Sequence, residues 1–258
     1  MASKKAVSAV LSHLKSGKVL GVAGELSQAG PASRSTALKY KSYNPSLDKA
    51  DFVNILPEML FSVAGAARTS GVDFQVLKCR DPRYFQFKDC YVLLFNSSQS
   101  LARYRSATEL SRINKIRVKF VPLPPGDSSE HVYAQYVKNL TAAFESHGLY
   151  NEKSRTKEPF DRSKFDLNAL QERIRPIEER SALVWNLPFD MRPHDLIDRF
   201  WFYDIKHCFK LYWDVSTGAT LYYIAFNDTS DCLKFKRNFH GVHFEDKLHM
   251  KLLVETLG

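Results

Sequence analysis

Between Ser181 and Glu255 the hydrophobic period switches back and forth between that of a strand and that of a helix, and this order restricts the fold more than any other feature. Ser181–Pro188 (SALVWNLP) is a short apolar run closed by Asn186, Leu187 and Pro188. Arg192–Phe202 follows, with Leu196, Ile197, Phe200 and Trp201 at helical spacing. Cys208–Trp213 and Ala219–Phe226 (ATLYYIAF) read as strands on either side of a turn, Asp214–Gly218 (DVSTG). Ser230–Asn238 is helical, Gly241 stands just past its end as a stop, and Met250–Glu255 closes the set as a strand. The order βαββαβ with short loops predicts a ferredoxin-like α+β domain over residues 181–258.

Among such folds the RNA recognition motif (RRM) marks its two central strands with aromatic residues. Its octamer opens on a basic residue and Gly and places aromatics third, fifth and eighth. Here the eighth is Phe226 and the fifth Tyr223, while Leu221 stands third and Ala219-Thr220 opens the run. The hexamer ends in Asn186-Leu187 but has Leu183 at its aromatic position. Strand alternation then predicts Phe226, Ile224, Tyr222, Phe209 and Leu211 in the core. Leu183, Trp185, Lys210, Tyr212, Leu221 and Tyr223 face outward on this reading, a platform on which bases could stack. The competing reading covers the same sheet with protein or with the chain's own helices.

A more degraded copy of the order runs upstream, predicting an RRM-like domain over residues 37–124. Ala37–Asn44 is its first strand and Lys49–Leu60 a helix interrupted by Pro57. Asp73–Cys79 and Cys90–Phe95 are strands, Ser97–Arg112 a helix, and Lys115–Val121 (KIRVKFV) the last strand. In that strand Lys115, Arg117 and Lys119 alternate with apolar residues and share one face. Lys39 and Lys41 on the adjacent first strand, and Arg112 just before the last one, extend a cationic stripe suited to phosphates rather than bases. A solvated strand face is the alternative. The loop Lys78–Lys88 interleaves Arg80, Arg83 and Lys88 with Tyr84, Phe85 and Phe87, either to clamp nucleic acid or to pack on the domain.

Charge supports this division of labour. The net +9 resolves into +4 for residues 1–36, +7 for 37–124, and −1 each for 125–180 and 181–258. The basic half is therefore the one expected to meet a polyanion. Residues 1–36 carry Lys4, Lys5, Lys15 and Lys18 with Val7, Val10, Leu11 and Leu14 at helical spacing, read as a mitochondrial targeting helix or as a plain basic helix. Residues 125–180 form a helical linker. Its first helix, from about Ser129 to His147, carries an apolar stripe of Val132, Tyr133, Tyr136, Val137, Leu140 and Phe144, for which Val92 and Leu94 offer one docking surface. Residues 151–165 read as a flexible tether, and Asp166 as the cap of a last helix kinked near Pro176.

The sequence offers no enzyme chemistry: no phosphate loop, no paired carboxylates and no His/Cys/Glu cluster at metal spacing. Cys79, Cys90, Cys208 and Cys232 form no CxxC pair and read as reduced, mostly buried thiols. No apolar run approaches the roughly 18 residues of a membrane-crossing helix. A non-catalytic protein without metal, cofactor or small-molecule substrate is expected.

Five strings are idiosyncratic: Tyr40–Leu56, Asp81–Asp89 (DPRYFQFKD), Ser111–Lys119 (SRINKIRVK), Phe200–Asp214 (FWFYDIKHCFKLYWD) and Phe235–Gly241 (FKRNFHG). Through them the chain resembles, from about Val7 to its C-terminus, the budding-yeast mitochondrial translational activators of cytochrome c oxidase subunit 3. That resemblance implies action on the 5′ leader of the subunit 3 message, and a part in group I intron splicing of the subunit 1 transcript. It also implies partners: other message-specific activators, the mitochondrial ribosome, and peripheral contact with the inner membrane from the matrix. The stretches Arg112–Lys119 and Phe200–Asp214 are marked by it as family positions. A compact stretch, Gly241–Lys251, and a short region before Ala37 depart from the family's pattern.

Overall fold

A computed structural model describes residues 36–57, 73–156, 159–244 and 251–258. The helix expected in the basic N-terminal segment and most of Gly241–Lys251 lie outside these. Two four-stranded antiparallel sheets form the frame. The first contains β1 (Ala37–Lys41), β2 (Phe74–Arg80), β3 (Phe87–Phe95) and β6 (Phe120–Pro122), in the order β2-β3-β1-β6. The second contains β7 (Ser181–Trp185), β8 (Ile205–Trp213), β9 (Thr220–Phe226) and β10 (Leu253–Thr256), in the order β10-β7-β9-β8. Counted within its own sheet, each follows the same order, 4-1-3-2, so the predicted α+β fold with two RRM-like units is what the chain adopts.

Each sheet buries one face under its own helices. Helices α1 (Lys49–Asn54) and α2 (Ser98–Ala107) close a core around Phe52, Tyr91, Leu93, Phe95 and Tyr104. Helix α1 begins in a capping box, Asp48 accepting from Asp51 N and Asp51 from Asp48 N. In the second sheet α6 (Pro193–Arg199) and α7 (Thr229–Phe239) cover Val184, Cys208, Tyr222, Ile224 and Phe226. Phe200 is buried there as expected, but Trp201 is 78% exposed, because α6 ends at Arg199 and leaves it beyond the helical stripe.

The opposite faces meet in a third core. Helices α3 (Ser129–Glu145), α4 (His147–Arg155) and α5 (Leu167–Glu178) lie in it, with Tyr133, Tyr136, Val137, Leu140, Phe144, Tyr150, Leu167 and Ile174 buried. The same cluster takes Leu77 and Val92 from the first sheet and Leu183, Phe209, Leu221, Tyr223 and Ala225 from the second. The apolar stripe of α3 thus docks on Val92, and Asp166 caps α5 by accepting from Ala169 N, both as expected. The expected tether over 151–165 begins instead as α4, whose Ser146 cap accepts from Leu149 N and whose Tyr150 is buried. No helix among the described residues is long and apolar enough to cross a membrane.

Two strand assignments change. Lys115–Val121 is not one strand: β4 (Arg112–Ile113) and β5 (Ile116–Arg117) form a separate hairpin ahead of β6. Its two turn residues, Asn114 and Lys115, have φ of 50° and 69°, the left-handed pair of a tight hairpin turn, which asparagine tolerates. In β8, bulges after Ile205 and after Lys210 shift the alternation. Phe209 therefore pairs with Tyr223 on the linker side, while Lys210 pairs with Tyr222, the reverse of the expected sides.

Candidate nucleic-acid interface

The second sheet does not offer the expected open platform. Leu183, Leu221 and Tyr223 are fully buried beneath the linker helices and the loop from the first sheet. Phe85 sets its ring 5.7 Å from that of Tyr223, whose hydroxyl shares a hydrogen bond of 2.8 Å with Ser181. Burial raises the Tyr223 phenol above its ordinary value, so it stays protonated. Exposing Leu183, Phe209, Leu221 and Tyr223 to accept bases would cost about 6–12 kcal/mol at about 1.5–3 per side chain. A stacked base returns only about 1–3 kcal/mol, so the cover wins. Trp185 is half-buried against the same core, and Tyr212, 39% exposed, opens at its margin. The Lys210 ammonium donates to Phe189 O and lies 5.4 Å from the Tyr222 ring centroid.

The loop between β2 and β3 packs rather than clamps at two of its positions. Arg80 is 2% exposed and cannot reach a ligand; its Nη1 donates to Phe85 O at 2.8 Å and Glu255 Oε1 at 2.9 Å, and its Nη2 to Leu257 O at 2.9 Å. Phe85, at φ 60°, is buried with it. Arg83 is exposed, its guanidinium 5.2 Å from the Tyr84 ring, and exposed Lys88 pairs with Asp81 at 3.1 Å.

The first sheet keeps half of its linker-side face open. Leu77 and Val92 are covered, but Lys39 and Lys41 on β1 are exposed, and Val121, paired with Lys39 on β6, is 51% exposed. Continuing that register one step sets Lys119 beside Lys41. Arg112 faces Arg117 directly across the hairpin, with Lys115 in its turn. All six cations, Lys39, Lys41, Arg112, Lys115, Arg117 and Lys119, are exposed, and none joins a salt bridge among the described residues.

Two further residues join this edge. Arg105 of α2 shares with Arg117 and Lys119 a groove of about 790 Å³. Tyr43, 75% exposed, receives the Lys41 ammonium 5.5 Å from its ring centroid. Arg105 was findable from the α2 periodicity, because Leu101 and Tyr104 point inward and leave it outside. The result is an edge with several phosphate-binding cations and one free ring.

No group of three His, Cys, Asp or Glu among the described residues is placed to hold a metal. All four cysteines are free: Cys90, Cys208 and Cys232 are buried and Cys79 half-buried.

Residues 34–138 match the family described as Protein PET54 N-terminal domain. Protein PET54 of Saccharomyces cerevisiae (strain ATCC 204508 / S288c) is 43% identical over 262 residues, spanning 93% of this chain and 88% of that protein. Protein PET54 of Saccharomyces bayanus is 39% identical over 266 residues, spanning 96% of this chain and 90% of that protein. Among solved structures, the Mip6 RRM3 domain is similar at 18% identity and a TM-score of 0.27, over 31% of this chain and 93% of that one. The Sex-lethal RNA recognition domains 1 and 2 from Drosophila melanogaster are similar at 13% identity and a TM-score of 0.24, over 85% of this chain and 98% of that one. At such scores the fold rests on the strand order itself, whereas identity across nearly the whole length of two curated proteins is decisive: the chain belongs to the PET54 family.

Proposed function

We propose that this chain is a non-catalytic RNA-binding factor of mitochondrial gene expression, and that its first sheet holds the RNA backbone. The observation that carries the reading is the set of six exposed, unneutralised cations gathered on β1, the β4–β5 hairpin and the approach to β6. Such an array neutralises successive phosphates with little base selectivity. On the family resemblance, the RNA is the 5′ leader of the cytochrome c oxidase subunit 3 message, with a group I intron of the subunit 1 transcript as a second target. The protein then acts in the matrix at the periphery of the inner membrane, beside other message-specific activators and the mitochondrial ribosome.

The test is binding of the whole chain to that leader across a salt series. Six phosphate contacts predict a log–log slope of about −4 for single-stranded RNA, at about −0.7 per contact. Reversing Lys115, Arg117 and Lys119 to Glu should weaken binding and bring the slope to about −2 or less. A leader that does not bind at moderate salt sinks the reading.

A protein-binding scaffold is the second reading, favoured by one observation. Trp201 and Phe202, 78% and 57% exposed with rings 5.6 Å apart, form an exposed apolar surface on the second unit. Crosslinking in mitochondria scored for protein and RNA partners separates the two readings.

A further inference from the structure

A second concave surface lies where the middle helices meet the margin of the second sheet. It is a cleft of about 760 Å³, walled by α4, by β8 from Phe209 to Trp213, and by the loop that enters α6. Its volume falls within the range of sites that enclose a small ligand. Arg83, Arg155, Arg192 and Lys210 line it against one acid, Asp190. None of these three arginines forms a salt bridge among the described residues. Two of these cations, Arg192 and Lys210, come from a domain whose overall charge is −1.

The cleft also carries rings. Trp213 is 58% exposed, with the Lys210 ammonium 5.8 Å from its ring centroid. His147 stacks on buried Phe209, centroids 4.5 Å apart and planes 20° from parallel. Burial lowers the His147 imidazole below its ordinary value, so at neutral pH it is a neutral stacking ring. Helical spacing brings His147, Asn151, Ser154 and Arg155 to the same wall. The Asn151 amide nitrogen lies 2.9 Å from His147 Nε2, and the Ser154 hydroxyl donates to Asn151 O at 3.4 Å, so the Asn151 side-chain amide oxygen and the Ser154 oxygen are the acceptors left to reach a base edge. Tyr150, on the same helix face, donates its hydroxyl to Arg83 O at 2.6 Å and fixes the backbone from which Arg83 reaches the cleft.

Cations, a free indole and short polar side chains in one cleft match a nucleotide better than an aliphatic or a purely acidic ligand. Four cations exceed the need of one phosphate, which favours a strand over a free nucleotide. We propose that this cleft takes one nucleotide of single-stranded RNA, its base on Trp213 and its phosphates on Arg155 and Arg192. The inference rests on the RNA-binding reading above and extends it to a second contact, outside the covered sheet faces.

The experiment measures binding of a labelled short oligouridine to the whole chain, against Trp213→Ala, Trp213→Phe and a double variant, Arg155→Ala with Arg192→Ala. Trp213→Ala should lower affinity about tenfold with the salt slope unchanged, as loss of one stack predicts. Trp213→Phe should keep most of the affinity. The double variant should lower both affinity and slope, the latter by about one. All three sites are solvent-facing, so the thermal midpoint of each variant should match that of the unaltered chain. No binding by the unaltered chain overturns both readings. Loss on reversing Lys115, Arg117 and Lys119, with no loss in the three cleft variants, overturns the cleft alone. Displacement of oligouridine by uridine monophosphate or by polyglutamate at equal concentration also overturns it.

Discussion

Phe85, carried on the loop that follows β2, points the edge of its ring at the ring of Tyr223 in the middle of the second sheet, centroids 5.7 Å apart and planes at 61°. Both side chains are fully buried. Tyr223 stands at the fifth octamer position, so a ring from the chain itself occupies the place where an RRM would stack a base. The loop of the first unit thereby fills the surface that the second unit would otherwise present to RNA.

Tyr223→Ala or Phe85→Ala should therefore act on stability first. Each removes a fully buried aromatic, a loss of about 3–5 kcal/mol. Because the rings touch, the double variant should cost less than the two singles together, by about 0.5–1.5 kcal/mol. Tyr223→Phe keeps the ring and loses only the bond to Ser181, about 1 kcal/mol. Urea unfolding of the four chains checks this; a Tyr223→Ala chain of unaltered stability with weakened RNA binding would return that ring to the role of a base platform.

Arg80 ties the same two units from the charge side. It donates to Glu255 at 2.9 Å, to Phe85 O at 2.8 Å and to Leu257 O at 2.9 Å, from a site 2% exposed. Removing one member of a buried pair leaves the other uncompensated, so Arg80→Ala should cost about 3–5 kcal/mol. Glu255→Gln should cost less, about 1–2 kcal/mol, because Glu255 is partly exposed and the two carbonyl partners of Arg80 remain. Equal losses in the two variants would mean that the carbonyl bonds contribute nothing.

Lys78 makes stability depend on pH in the alkaline range. Burial, reinforced by Arg80, pulls its ammonium from 10.5 down to about 8. Below that value Lys78 is charged in the folded and unfolded chains alike, and the cost of burying the charge is fully present. Between about 8 and 10.5 the folded chain releases a proton that the unfolded chain keeps, so this residue's contribution makes the chain more stable as pH rises. Lys78→Met should accordingly be more stable than the unaltered chain near neutral pH. The gap should close by pH 10.5. Paired denaturant melts across that window read it directly, and a gap independent of pH would refute the assignment.

The βαββαβ order was legible because each strand and helix carries its own periodicity, and so was the stripe of α3 that docks on Val92. The burial of Leu183, Leu221 and Tyr223 was not. An octamer with Leu221 in place of an aromatic is equally compatible with an open sheet and with a covered one, and only long-range packing decides. The bulge after Lys210 was also hidden, since Phe209-Lys210-Leu211 alternates well enough for an unbroken strand. The hairpin was hidden for a different reason. Alternation of Lys115, Arg117 and Lys119 reads as one strand, and only the propensity of Asn114 for left-handed backbone argued for a turn.

That turn gives the sharpest separation of geometry from charge. Asn114 at φ 50° and Lys115 at φ 69° close the hairpin that sets Arg112 opposite Arg117. Asn114→Val places a β-branched residue in left-handed backbone, where it is strongly disfavoured, while removing no charge. The hairpin should open and the two guanidinium groups separate, with RNA affinity falling several-fold although the net charge is unchanged. Asn114→Gly, free to adopt positive φ, should keep the affinity. The hairpin lies outside all three hydrophobic clusters except for Ile113, so the loss should come with little change in the thermal midpoint. Equal affinity of the Val and Gly chains would mean that RNA senses the sum of the charges here and not the arrangement the turn imposes.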